Sequence, residues 1–222
     1  EPGPPGADAM FGGAGRDTLD LNASDLISYH ANLATGLFYS GETLIARIET
    51  FEVIRFNDGN DSVIGWTGAP ELWLQGGADW FADYSPASAP SNDSVDGGVA
   101  WDTLFGLAGD DRLSAYGDFL NGGDGADTLT GGAGGDWLAG GAGSDVYAFI
   151  QVGDFAPGFG DALGFDFVME FQSGSDRIDL SAIDANTAAT GDQAFTIGAF
   201  EAGQAGRLRI TSPAGQTWTY VE

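Results

Sequence analysis

Between residues 97 and 148 one large apolar residue recurs in step: Leu104, Leu113, Leu120, Leu129, Leu138 and Tyr147. Each stands two places after an aspartate: Asp102, Asp111, Asp118, Asp127, Asp136 and Asp145. An amphipathic helix would need apolar residues three and four places apart, which this spacing does not supply. Short segments with an apolar centre predict short strands, the central side chain facing inward and its neighbours outward. The glycine-rich stretches between them predict tight turns. A continuous apolar ladder is expected inside. Phe119 and Trp137 are expected outside on one sheet face, with Trp80 in the matching place of an earlier segment. Such outward aromatics could meet a glycan or another chain, or be covered by a neighbouring coil.

These segments are internal repeats. Residues 122–148 divide without gaps into GGDGADTLT, GGAGGDWLA and GGAGSDVYA. GGVAWDTLF (97–105) and GLAGDDRLS (106–114) share the frame, and AYGDFLN (115–121) is a shortened unit. An isolated unit, GGAGRDTLD, occupies 12–20. Glycine in the first, second and fourth places permits backbone angles that other residues avoid, and it lets carbonyls turn inward. A glycine-rich linker has no reason to keep an apolar residue two places after every aspartate.

Fragments of the pattern persist upstream, as FNDGNDSVIG (56–65) and QGGADWFAD (75–83), between β-rich stretches at 44–48 and 51–54. Residues 20–96 therefore read as a degenerate continuation of the same solenoid, with Ser85–Ser91 looping out. From 146 onward the glycine repeat gives way to alternating aromatic segments such as Phe165–Phe171 and Trp218–Val221. The expected organisation is all-β: a degenerate solenoid over 1–96, a repeat roll over 97–148 and a β capping segment over 149–222.

Charge sharpens the picture. The chain carries 33 acidic residues against 7 arginines and no lysine, a formal net charge of −26. A compact form would repel itself, and bound divalent cations are the natural neutralisers of carboxylate-rich sites. Nucleic acid and anionic membrane are disfavoured as partners. Cysteine is absent, so metal rather than disulfide would be the staple. No apolar run approaches the length of a membrane span.

The nonapeptide closely resembles the RTX (repeat-in-toxin) parallel β-roll of bacterial type I-secreted proteins. The resemblance implies a roll in which each unit makes half a coil and several Ca²⁺ ions lie between stacked turns, bound by carbonyls and sixth-position aspartates. The implied bridging pairs are Asp102 with Asp118, Asp118 with Asp136, Asp111 with Asp127, and Asp127 with Asp145. The implied turn positions are Gly106 and Gly109; Gly122, Gly123, Asp124 and Gly125; Gly131, Gly132 and Gly134; and Gly140, Gly141 and Gly143. Outlying candidates are Asp17, the pair Asp61 and Asp79, and Asp176, for which pairing with Arg177 is the alternative. Residues 166–186 resemble the segment after the roll in serralysin-type metalloproteases and in alginate-epimerase R-modules. That likeness implies antiparallel strands capping the roll, and a pattern continuing past Glu222.

The resemblance further implies a non-catalytic module of a secreted, extracellular or cell-surface protein of a Gram-negative bacterium, exported through type I secretion machinery and folding in external calcium. Two other readings are a calcium-dependent S-layer or adhesive protein that associates with itself, and part of a polysaccharide-acting enzyme or metalloprotease. For an enzyme, Tyr29 and His30 are the candidate residues within the chain. The sequence holds no HExxH zinc helix, no GxSxG elbow and no cysteine nucleophile.

Overall fold

A computed structural model of the chain describes residues 8–21, 28–40, 42–49, 51–65, 71–84, 90–151, 154, 166–183, 196–197, 207–208, 210–211 and 220–221. Its strands are short because each apolar centre is bracketed by turn residues. In chain order they are β1 (Asp8–Phe11), β2 (Thr18–Asp20), β3 (Tyr29–Asn32), β4 (Leu37–Ser40), β5 (Thr43–Glu49) and β6 (Val53–Arg55). Next come β7 (Ser62–Ile64), β8 (Glu71–Trp73), β9 (Trp80–Ala82), β10 (Ser94–Val99), β11 (Thr103–Ala108) and β12 (Arg112–Tyr116). Then come β13 (Phe119–Gly125), β14 (Thr128–Thr130), β15 (Trp137–Gly143), β16 (Val146–Ala148), β17 (Phe167–Met169) and β18 (Arg177–Asp179), followed by two-residue strands at Thr196–Ile197, Arg207–Leu208, Ile210–Thr211 and Tyr220–Val221.

From β6 to β18 successive strands alternate between two sheets, so each coil contributes one strand to each. The first sheet runs β1-β5-β4-β3-β7-β9-β11-β13-β15-β17 and the second β2-β6-β8-β10-β12-β14-β16-β18. Pairing within them is parallel except at β3–β4 and β4–β5. This is the expected parallel β-roll.

The inward series forms two facing ladders. Val63, Phe81, Leu104, Leu120 and Leu138 stack in the first sheet. Leu19, Ile54, Leu72, Val95, Leu113, Leu129 and Tyr147 stack in the second. All are buried, and each such side chain contributes about 1.5–3 kcal/mol relative to exposure. Strand length and core follow from the same alternation.

One expectation is overturned. Residues 166–179 do not fold back as antiparallel strands. β17 pairs in parallel with β15, and β18 with β16, adding one more coil. Val168 and Ile178 fall in register with Leu138 and Tyr147, so they extend the apolar ladders. Among the described residues, antiparallel pairing beyond the roll is confined to Ile210–Thr211 with Tyr220–Val221. Of the stretch read as looping out, 85–89 lies outside the described residues, and its last residue, Ser91, is buried. The last three residues of the serralysin-like stretch, 184–186, also lie outside them.

Candidate calcium sites

The repeat aspartate is the residue immediately before each strand, which places it at the mouth of a turn. Two rows of turns result. Asp61, Asp79, Asp102, Asp118, Asp136 and Asp166 precede strands of the first sheet, and Asp93, Asp111, Asp127, Asp145 and Asp176 precede strands of the second. Within a row each aspartate is tied to its neighbour. The main-chain N–H of Asp61 donates to Asp79 Oδ1 at 2.7 Å, that of Asp79 to Asp102 at 2.8 Å, and that of Asp102 to Asp118 at 2.5 Å. The row ends with Asp118 to Asp136 at 2.6 Å and Asp136 to Asp166 at 3.0 Å. In the second row Asp93 donates to Asp111 at 2.8 Å, Asp111 to Asp127 at 2.8 Å, Asp127 to Asp145 at 3.0 Å and Asp145 to Asp176 at 3.1 Å.

Apart from Asp166 and Asp176 at the row ends, only one oxygen of each carboxylate has a hydrogen-bond partner. The Oδ2 atoms of Asp17, Asp61, Asp79, Asp93, Asp102, Asp111, Asp118, Asp127, Asp136 and Asp145 are buried without a hydrogen-bond partner. An orphaned buried acceptor costs about 1–3 kcal/mol, and more when charged, so a row of them demands a positive partner. Burial pushes their pKa values up: Asp102 and Asp111 to about 6, Asp61, Asp93 and Asp127 to about 7, Asp79 to about 8 and Asp118 to about 9. The coupled pair Asp136 and Asp166 is raised for the same reason.

The orphaned oxygens point into a cradle. In five units Oδ2 lies where a Cβ on the unit's first glycine would sit, at Gly97, Gly106, Gly122, Gly131 and Gly140. Backbone carbonyls close the same turns. Leu107 and Gly109 carbonyls abut Gly123 and Gly125, whose own carbonyls abut Gly141 and Gly143. Among the described residues no three carboxylate or imidazole side chains converge on one point. The available donors are therefore carboxylates, one or two at a turn, and carbonyls, a hard oxygen set suited to Ca²⁺.

The other candidates fall differently. Asp124 is exposed, and its carbonyl accepts from Gly109 N–H at 2.9 Å. Asp176 uses both oxygens on main-chain N–H groups, from Asp145 at 3.1 Å and Gln172 at 2.7 Å, while Arg177 approaches Asp179 instead at 3.9 Å. Asp17 does have a stacked neighbour. Its N–H donates to Glu52 Oε2 at 2.8 Å, across 35 residues of chain. In the shortened turn both Gly117 and Asp118 N–H donate to Asp136 Oδ1, at 2.8 and 2.6 Å, and the Tyr116 ring covers Gly132. Asp93 and Asp166 join the rows without having been singled out from the sequence. Asp154 was not singled out either and stands outside the rows; its Oδ2 accepts from Ile150 and Gln151 N–H and its Oδ1 is buried without a partner.

The outward aromatics do form a file. Trp80, Thr103, Phe119, Trp137 and Phe167 are successive register partners. Trp137 is 49% exposed and its ring lies 5.3 Å from that of Phe167. Tyr29 is buried and His30 exposed, so the alternation of β3 turns the two to opposite faces.

A family model described as the RTX calcium-binding nonapeptide repeat matches four copies, over residues 5–25, 90–113 and 114–147. No curated protein matches the chain. The match falls on the turns whose buried carboxylates and carbonyls the geometry brings together: these blocks are RTX calcium-binding nonapeptide repeats, wound into a parallel β-roll.

Proposed function

We propose that the chain is a calcium-dependent folding module of an exported bacterial protein. The observation that carries this is the double row of buried aspartates with orphaned Oδ2 atoms. Bound Ca²⁺ would supply the missing positive charge and a coordination shell for carboxylate and carbonyl oxygens. In its absence, like charges in each row repel, and the glycine-rich turns carry a large ordering cost. The two apolar ladders cannot stack unless the turns close. An extracellular-type site has a Kd of about 10⁻⁴–10⁻³ M. At ten to a hundred times Kd each site contributes about 1.4–2.7 kcal/mol. Several sites together match a typical domain stability of about 5–15 kcal/mol. A chain that stays open at low calcium suits threading through a type I secretion channel, and closure then waits for the medium outside.

The test is circular dichroism of the purified chain in EGTA, then through a calcium titration. Little strand signal in EGTA and a cooperative rise with calcium are expected. Full β-signal after exhaustive chelation, with no uptake of ion, would refute the proposal.

The aromatic file supports a second reading, a surface protein whose rolls associate through that face. Ordered polymers on size-exclusion chromatography in calcium, lost in Trp137→Ser, would favour it. A stable monomer favours the folding module alone.

A further inference from the structure

One position in the second turn row breaks the repeat in a way that adds a charge. The residue following the strand is Gly106 after β11's central triplet, and by register its counterparts are Gly122, Gly140, Gly65 and Asp83. At Gly106, Gly122 and Gly140 a Cβ would overlap the unit's own aspartate, and at Gly65 it would press on the Phe81 ring. The turn that begins at Asp83 is longer, since neighbouring strands are offset by 23 residues there rather than 18. The extra length admits a side chain where glycine is otherwise required.

Asp83 is 0% exposed and Asp93 4% exposed. The Ser91 hydroxyl lies between them, 2.9 Å from Asp83 Oδ2 and 3.2 Å from Asp93 Oδ1. A hydroxyl has one proton to donate, so one of these contacts sets oxygen against oxygen with no hydrogen between. Asp93 Oδ2 is at the same time buried and without a partner. Both Asp83 and Ser91 are anchored by the roll, through the Asp83 N–H to the Phe105 carbonyl at 3.1 Å and the buried Ser91 side chain. A shared proton could relieve the Ser91 contact, but it would leave Asp93 Oδ2 unmet. A cation ligated by both carboxylates relieves both.

We infer that Asp83 and Asp93 together hold a divalent cation of the calcium class at the head of the second turn row, and that this position fills first. The inference rests on the calcium reading of the repeats. Two buried carboxylates at one turn, against one buried carboxylate in each of the turns that follow, raise ligand charge and therefore affinity.

The test is calorimetric titration of the metal-free full chain with calcium chloride, comparing wild type with Asp83→Asn and Asp83→Gly. The highest-affinity step should weaken about tenfold or more in both variants, with later steps and the saturated circular dichroism unchanged. Asp83→Gly restores the residue type of Gly106, so a folding defect peculiar to the amide cannot mask the result. Coincident first steps in all three proteins overturn the inference and assign the pair a shared proton. A wild-type chain that takes up no calcium overturns the parent reading as well, and is distinguishable because no step is seen at all.

Discussion

The Asp127 main-chain N–H donates to Asp145 Oδ1 at 3.0 Å, while Asp145 Oδ2 is buried beside Gly140 with no hydrogen-bond partner. One carboxylate thus does two jobs. Its first oxygen sets the register between coils, and its second faces the interior of a turn that has only oxygens to offer. Register and cation demand are coupled because they reside on the same side chain. That coupling lets each task be removed separately.

Asp127→Asn keeps an acceptor for the Asp111 N–H, now 2.8 Å from Asp127 Oδ1, and removes the charge. The calcium midpoint for folding should rise roughly tenfold, with little loss of strand content once saturated. Asp124→Asn, at an exposed carboxylate outside the rows, should stay within about 0.5 kcal/mol of wild type. Equal midpoints for Asp127→Asn and wild type, read by circular dichroism, would remove Asp127 from the sites.

The raised pKa values give a pH dependence of definite sign. Asp127 at about 7, Asp79 at about 8 and Asp118 at about 9 are lifted chiefly by burial, against about 3.9 in an unfolded chain. The calcium-free folded form therefore binds more protons than the unfolded form across this window. Its proton-linked stability is complete below about pH 4 and is lost as pH rises through about 6–9. In EGTA, acidification from pH 8 to pH 5 should restore β-signal reversibly. In calcium, protons compete for the same oxygens, so the calcium midpoint should climb as pH falls. A calcium-free signal that is flat with pH would contradict the burial of these carboxylates.

Leu129 is buried in the second ladder, in register between Leu113 and Tyr147. Leu129→Ala should cost about 2–5 kcal/mol. Because stacking and binding are linked, the loss should appear as a higher calcium midpoint with an unchanged number of ions at saturation. A fall in ion number would mean that Leu129 shapes a site directly.

Much of this architecture is legible in the residues. Among the described residues, wherever an aspartate is followed two places later by Leu, as at Asp111 and Leu113, turn and strand fall where the repeat places them. The family likeness supplies the half-coil winding. The departures have local causes. Asp17 looked solitary because its stacked neighbour, Glu52, comes after the excursion of β4 and β5. Asp93 stands nine residues before Asp102 with Val95 two places on, so the period reaches it, but SND carries none of the repeat's glycines, which masks the unit. Asp166 is one coil from Asp136 in space but 30 residues away in sequence. Asp83 occupies a glycine position, where no rule of the repeat looks for a carboxylate. For Asp17 and Asp166 insertions hide the stacking from any fixed period, whereas Asp83 and Asp93 are masked by residue type.

Two glycines separate steric from conformational demands. A Cβ on Gly122 would collide with Asp127 Oδ2, so Gly122→Ala must push the carboxylate out of its turn. The overpacking should cost about 1–3 kcal/mol and, with the displaced oxygen the proposed ligand, should also remove an ion. Gly117 has φ +88° and open space around its missing Cβ. Gly117→Ala should cost about 1–2 kcal/mol through the left-handed backbone alone, with every ion retained. The two variants can therefore lose similar stability while differing in calcium bound per chain, measured by equilibrium dialysis. If Gly122→Ala binds as many ions as Gly117→Ala, Oδ2 of Asp127 does not face a cation, and the reading of the first glycine as the floor of the site fails with it.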